Sequence, residues 1–291
     1  MSPDAASLVG SAALRTAAYP TAWRLIGGIL VVMSRASLPV LAVGVITADG
    51  IVPLAVLVRV LLIWVALPAL SAWLIERAFA VAVEVHPTEL VLESRGLRME
   101  IPCTAIRDVI PWRLPFPGPG FALRMQSGRR FSYGLQLADP TTLLSALAQT
   151  GDVTAASAAM HHPFLVYAHA KRSGGHWHWY HLLTKFVLFA LAPTAVWFNA
   201  HQHIAYGGLF GQYYLEGLTP YLKTFLVSWS LAAIYLLLYA SLWRSVGEGM
   251  ALLTAWLLPR HAAAVRRAVE VGCSVVYYVG VPVIVLLPFL A

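Results

Sequence analysis

Of the 291 residues, 59% are hydrophobic and 11% charged, and the mean hydropathy is +0.71. That composition excludes an ordinary soluble domain. The net charge of +7 would suggest nucleic acid in a soluble chain. Here it fits arginines meeting anionic lipid headgroups, each contributing about 1 kcal/mol near the surface, and no nucleic-acid partner is expected.

Residues 1–22 are rich in Ala and Ser. They are expected to form a short helix near a membrane surface, and they lack the basic-then-apolar order of a signal peptide. Apolar stretches then run at 25–47 and 51–75, joined by the tight turn Ala48-Asp49-Gly50. Each approaches the ~20 residues that cross a bilayer as a helix, so the pair reads as an antiparallel hairpin within residues 1–82. Arg35 and Arg59 fall inside it, roughly 20 Å and 14 Å from the turn at about 1.5 Å per residue. A charge in lipid costs at least about 2.5 kcal/mol, so both are expected to meet protein, water or a lipid phosphate. For Arg35 the alternatives are snorkelling, or a first crossing that starts beyond it.

The pattern changes at 83–150, where short apolar runs alternate with polar residues as half-buried strands do. Strands are predicted at Glu89–Glu93, Gly96–Pro102, Ile106–Trp112, Phe121–Gln126 and Arg130–Leu137, with turns at Ser94-Arg95-Gly96 and Ser127-Gly128. Asp139 before Pro140 reads as an N-cap with proline at the first helical position, opening a helix to about Ala148. The predicted unit is a small α+β domain on the cytoplasmic face.

Its residues Glu89-Leu-Val-Leu-Glu-Ser-Arg-Gly-Leu and Glu100-Ile-Pro-Cys-Thr-Ala-Ile-Arg-Asp-Val resemble the bacterial pleckstrin-homology-like domain. The resemblance covers about 65 residues. It implies a strand pair such as Phe121–Leu137, a final helix, and a role as an adaptor or assembly module; of the seven strands of that fold the domain falls short, unless Ala80–His86 supplies one. It implies no phosphoinositide site, since no clustered Lys/Arg loop is present. The loop Pro111-Trp-Arg-Leu-Pro-Phe-Pro-Gly-Pro-Gly120 favours extended polyproline geometry. Its Trp112 and Phe116 are candidate partner contacts, or the loop is a stiff connector tucked against the membrane.

Eight of the ten histidines lie between 161 and 203, six of them in the linker 151–181. His176, His178 and His181 form the candidate metal site, with zinc, copper or haem as conceivable occupants, since imidazole is the commonest metal-binding side chain. The competing reading is a belt of imidazole and aromatic rings at the headgroups, which suits His176-Trp-His-Trp-Tyr-His181. No Asp or Glu lies between Asp152 and Glu216 to orient a metal-bound histidine.

Further apolar stretches occupy 182–200 and 219–243, joined by the loop 201–218, in which Tyr213 and Tyr214 are candidate partner contacts. Residues 244–270 follow. There Met250–Leu258 is too short to span, and Arg260–Glu270 reads as a basic amphipathic helix whose Arg260, Arg266 and Arg267 meet anionic lipid. A last crossing is predicted at 271–291.

Arg15 and Arg24 precede the first stretch, ten Lys or Arg lie in 76–181 and four in 244–270, whereas 48–50 and 201–218 have none. Cytoplasmic loops collect Lys and Arg, which predicts a five-pass helical membrane protein with its N-terminus inside and its C-terminus exported, in a bacterial inner membrane. Cys103 and Cys273 stand apart and suggest no disulfide framework. With no catalytic constellation, the expected function is a non-enzymatic accessory, scaffold or assembly subunit of a larger membrane complex. The alternatives are a metal- or haem-binding redox protein using His176–His181, and a lipid or small-solute carrier using Arg35 and Arg59.

Overall fold

The computed structural model describes residues 14–94, 96–114, 116–149, 153–173 and 179–290. Among these residues five helices are long and apolar enough to cross a membrane: Thr21–Ile46, Leu54–Ala78, Tyr180–Tyr206, Leu218–Leu257 and Pro259–Leu286. With them stands one antiparallel sheet of seven strands: β1 (Leu14–Pro20), β2 (Ala80–Val85), β3 (Glu89–Ser94), β4 (Leu97–Pro102), β5 (Ile106–Pro111), β6 (Gly120–Met125) and β7 (Arg130–Gln136). The described residues fall into two compact units. One draws on Met1–Arg35, Trp64–Gly174 and Gly249–Arg267, the other on Ala36–Ile63, Gly175–Glu248 and Ala268–Ala291.

In the first unit the sheet order is β4-β3-β2-β1-β7-β6-β5. The five strands expected from alternation are all present, each within a residue or two of its expected bounds. Gly96 and Gly128 take positive φ in the predicted turns, the conformation that favours glycine. The central strand β1 corrects the expected surface helix in 1–22 over its described part. Residues 14–20 lie between two partners, with Arg15 opposite Ala82 and Ala18 opposite Leu135. Strand pairing wins because Ala17, Ala18 and Tyr19 are buried and the Thr16 hydroxyl donates to the Gln136 carbonyl. Burying a side chain such as Tyr19 contributes about 1.5–3 kcal/mol, more than the small helix preference of an Ala-rich segment.

The first span starts at the residue after β1, and the second ends at Ala78, with only Phe79 between it and β2. The ladder extends into that junction, where Ala18 N–H donates to the Phe79 carbonyl at 3.0 Å. Both feet of the hairpin are therefore held by paired strands. Burial raises the pKa of the Tyr19 hydroxyl in this junction, and Glu76 raises it further.

One sheet face is covered by the helix Pro140–Gln149, whose Leu143, Leu144 and Leu147 join Val83, Leu92, Phe121 and Leu135 in the core. Asp139 caps that helix as expected, its Oδ1 accepting from Thr141 N–H at 3.0 Å. Helices Thr154–Ala159 and Pro163–Ser173 add Ala156 and Leu165 to the same core.

The helix Leu218–Leu257 has 40 residues. At about 1.5 Å per residue that is roughly 60 Å, twice a hydrocarbon core. Met250–Leu258, expected as a separate short segment, is thus the last part of this helix up to Leu257. Within the first unit Trp256 stacks edge-on against Phe164 at 5.7 Å, and Ala255 and Ala262 pack with Ala170. Nor is Arg260–Glu270 a separate surface helix. Ala262–Tyr278 runs unbroken through the basic stretch into the apolar one, with no proline or glycine pair between them to stop it.

Two spans contain π-helical segments, Leu61–Ala66 before Pro68 and Thr184–Leu188 before Pro193. A proline has no N–H to donate, and a π segment displaces carbonyls from their usual donors. Side chains of neighbouring helices take these carbonyls. In the first unit Ser34 donates to the Val65 carbonyl at 2.9 Å. In the second, Trp229 donates to Val187 at 2.9 Å and Tyr277 to Lys185 at 2.6 Å, binding the third, fourth and fifth spans around Ala190, Leu236 and Val281.

Gly134 on β7 is pressed against the Trp112 ring: a Cβ there would stand 2.9 Å from it. Gly134→Val should therefore lower stability by about 1–3 kcal/mol through overpacking. The expected readout is a lower thermal midpoint in detergent by tryptophan fluorescence. An unchanged midpoint would mean the indole does not occupy this slot.

Candidate functional site

Trp112, a candidate partner contact if its loop is not a tucked connector, is only 6% exposed. The close approach of Gly134 and Gly120 leaves a slot for the indole beside Ala17, Tyr19, Ile75 and Phe79, so it belongs to the sheet–hairpin junction. The Arg24 guanidinium lies 4.9 Å over its ring. Phe116 is half-buried, with Gly28 close to its backbone and Cβ, while Pro117 lies against Gly27. The proline-rich loop is thus tucked against the start of the first span.

The histidines are spread over separate roles. His176 and His178 lie outside the described residues, so a site made with His181 has only one described member. His181 is exposed and its ring lies 4.3 Å from that of Tyr180. It begins a helix continuous to Tyr206, placing His201 about 30 Å away. His169, on the helix Pro163–Ser173, sits 3.3 Å from the Asp139 carboxylate and 3.3 Å from the Thr141 hydroxyl. This pair joins two helices 30 residues apart in the chain, beyond the reach of a local search for carboxylates. His162 precedes Pro163, and its Nδ1 accepts from Phe164 N–H at 3.4 Å, the position of an N-cap. Among the described residues no three His, Cys, Asp or Glu side chains stand together in a group suited to a metal.

Arg35 and Arg59 are exposed on the first two spans. Pro39 has no N–H to donate to the Arg35 carbonyl one turn earlier, so that backbone group is freed near mid-span. Arg260 and Arg267 are exposed, whereas Arg266 is only 6% exposed. It stands one turn beyond buried Ala262 on the same helix face, where the fold covers it, rather than facing headgroups.

In the second unit Tyr214 is 79% exposed, while Tyr213 also stacks on Tyr221, 6.4 Å between centroids. Their short helix, Gly211–Glu216, is fixed by a polar clasp absent from the sequence reading. Buried Gln202 donates to Gln212 at 2.9 Å, and Gln212 donates to Glu216 at 2.9 Å and to Thr224 at 3.1 Å. The only sequence signal was an amide at each end of a glycine-rich loop. A groove beside it is lined by Leu54, Leu218, Leu222 and Lys223, so the second and fourth spans begin at the same end of this unit.

No protein-family model matches the chain, and neither a curated protein nor a solved structure matches it. What the geometry offers is a sheet joined to both feet of a hairpin of two long apolar helices, with Arg24 and Trp112 at the joint.

Burial lowers the His162 pKa below its ordinary value of about 6.5. The unfolded chain then binds the proton more readily, so this contribution to stability is present above about pH 6.5 and lost as pH falls through the folded value. The thermal midpoint should fall between pH 7 and pH 5, and less so in His162→Asn, which keeps a capping side chain without titrating. An equal fall in both proteins would exclude His162 as a source.

Proposed function

We propose that the protein is a five-pass inner-membrane accessory or assembly subunit, non-enzymatic, which docks a larger membrane complex through a cytoplasmic pleckstrin-like module. The observation that carries this reading is the seven-stranded sheet with its covering helix, built onto the hairpin feet. Seven strands and a final helix are what the resemblance of Glu89–Val109 implies, and β1 and β2 supply the two that the five predicted strands lacked.

Orientation rests on charge. The strands at the hairpin feet put residues 14–20 on the same side as the sheet, and the Lys- and Arg-rich segments belong to that side. The connections at 48–50 and 201–218 have no Lys or Arg, and the shared end of the second and fourth spans supports placing both on the exported side.

The sheet offers an outer strand to a partner. On β4, Leu97, Arg98 and Glu100 are exposed, with Arg98 and Glu100 paired at 2.8 Å. Charged outer strands resist indiscriminate pairing yet leave backbone groups for strand addition by a specific segment.

Native mass spectrometry of the full chain from its own membranes in mild detergent should find a second polypeptide in fixed ratio. Leu97→Asp should lower its recovery at least tenfold without changing the amount of inserted protein. A lone 31.6 kDa chain carrying zinc, copper or haem would contradict this reading and favour the histidines.

A further inference from the structure

The hairpin feet carry arginines that no described carboxylate neutralises. Arg24 lies one turn into the first span, half-buried, with its guanidinium stacked on the immobilised Trp112 ring. Strand β7 runs past the end of β1: Pro20 pairs with Tyr133, leaving Arg130 three residues farther on, alongside the start of that span. The register thus brings two like charges to the same foot of the hairpin. Arg113, exposed, follows Trp112 directly. Ion pairs elsewhere in this unit join Arg98 with Glu100, and Arg107 and Arg124 with Asp108.

Holding one guanidinium half-buried near a second like charge is unfavourable unless an anion lies between them. A phosphodiester suits the task, since guanidinium groups bind phosphate oxygens through paired, charge-assisted hydrogen bonds. Depth favours a lipid as its source. Trp23 is exposed beside Arg24, and Arg77 stacks on exposed Trp73 at the other foot, 5.3 Å from the ring. Trp with Arg is the interfacial combination. Just beyond, Leu25, Ile26 and Ile29 are exposed along the first span, where acyl chains would lie.

We propose that Arg24 and Arg130, with Arg113 at the rim, bind the headgroup phosphate of one anionic phospholipid at the sheet-side foot of the hairpin. The site rests on the membrane placement proposed above. It would join the sheet to the bilayer surface and make the junction sensitive to lipid composition.

The test uses the full chain in mild detergent with equimolar phosphatidylglycerol and phosphatidylcholine, read by native mass spectrometry. The wild type should retain one phosphatidylglycerol in preference, by tenfold or more, and Arg24→Gln/Arg130→Gln should lose that preference. Arg98→Gln, on the edge strand β4, should keep it. Should the first pair fail to fold, Arg130→Gln alone, on an exposed strand end, should still weaken retention severalfold. Undiminished retention in the folded variants would overturn the site, and so would displacement of the lipid by millimolar inorganic phosphate. Alkaline carbonate extraction separates the two claims. Wild type that stays in the membrane yet shows no preference overturns the lipid site alone, whereas wild type released by carbonate removes the membrane placement itself.

Discussion

The hydrogen-bonded pairing of β1 with β2 joins the two ends of a hairpin of apolar, span-length helices, and the rest of the sheet-bearing unit depends on it. A chain leaving β1 enters a helix at once, and a chain leaving the second helix enters β2 one residue later. The two helices cannot shift along one another without breaking that register. Because β1 also pairs with β7, the same seven residues connect the two halves of the sheet. Without them β2 and β7 would each become an open edge, which attracts unwanted pairing. The Trp112 slot, the Arg24 stack and the loop against Gly27 and Gly28 all gather at this junction.

A second constraint acts within the spans. Backbone polar groups in lipid must be satisfied inside the protein. The π segments before Pro68 and Pro193 displace carbonyls, and Ser34, Trp229 and Tyr277 on neighbouring helices accept the task of pairing with them. Irregularities that would weaken one isolated helix thereby become the points where helices are fastened together. Interhelical bonds of this kind contribute about 0.6–2 kcal/mol each, and they also fix register.

Much of this fold was legible because periodicity and composition are local. Five apolar stretches, five alternating strands, the Asp139 cap and the turn glycines could each be read from a short window. Strand β1 could not. Leu14-Arg-Thr-Ala-Ala-Tyr-Pro has no regular alternation, being buried on both faces over four successive residues, and its partners lie about 65 and 115 residues away. The end of the 40-residue helix and the start of the last one were misjudged for a related reason. Charge at Arg244, Arg260, Arg266 and Arg267 suggested interruption, yet helices continue through charged residues wherever those can reach water or protein. Of the candidate site residues, Trp112 fills a glycine-lined slot that only the tertiary fold brings together, and Arg266 is buried although its neighbours in sequence are exposed or half-buried. The Asp139–His169 pair and the Gln202–Gln212 clasp were hidden in the same way.

Cross-linking in the membrane tests the β1–β2 junction most directly. With Cys103 and Cys273 replaced, Arg15→Cys/Ala82→Cys places two thiols at directly opposed, accessible positions. Mild oxidation should join them within one chain at high yield, and a pair moved by two residues, Arg15→Cys/Glu84→Cys, should cross-link several times more slowly. Equal or negligible yields in both would contradict the pairing and return residues 14–20 to the bilayer surface.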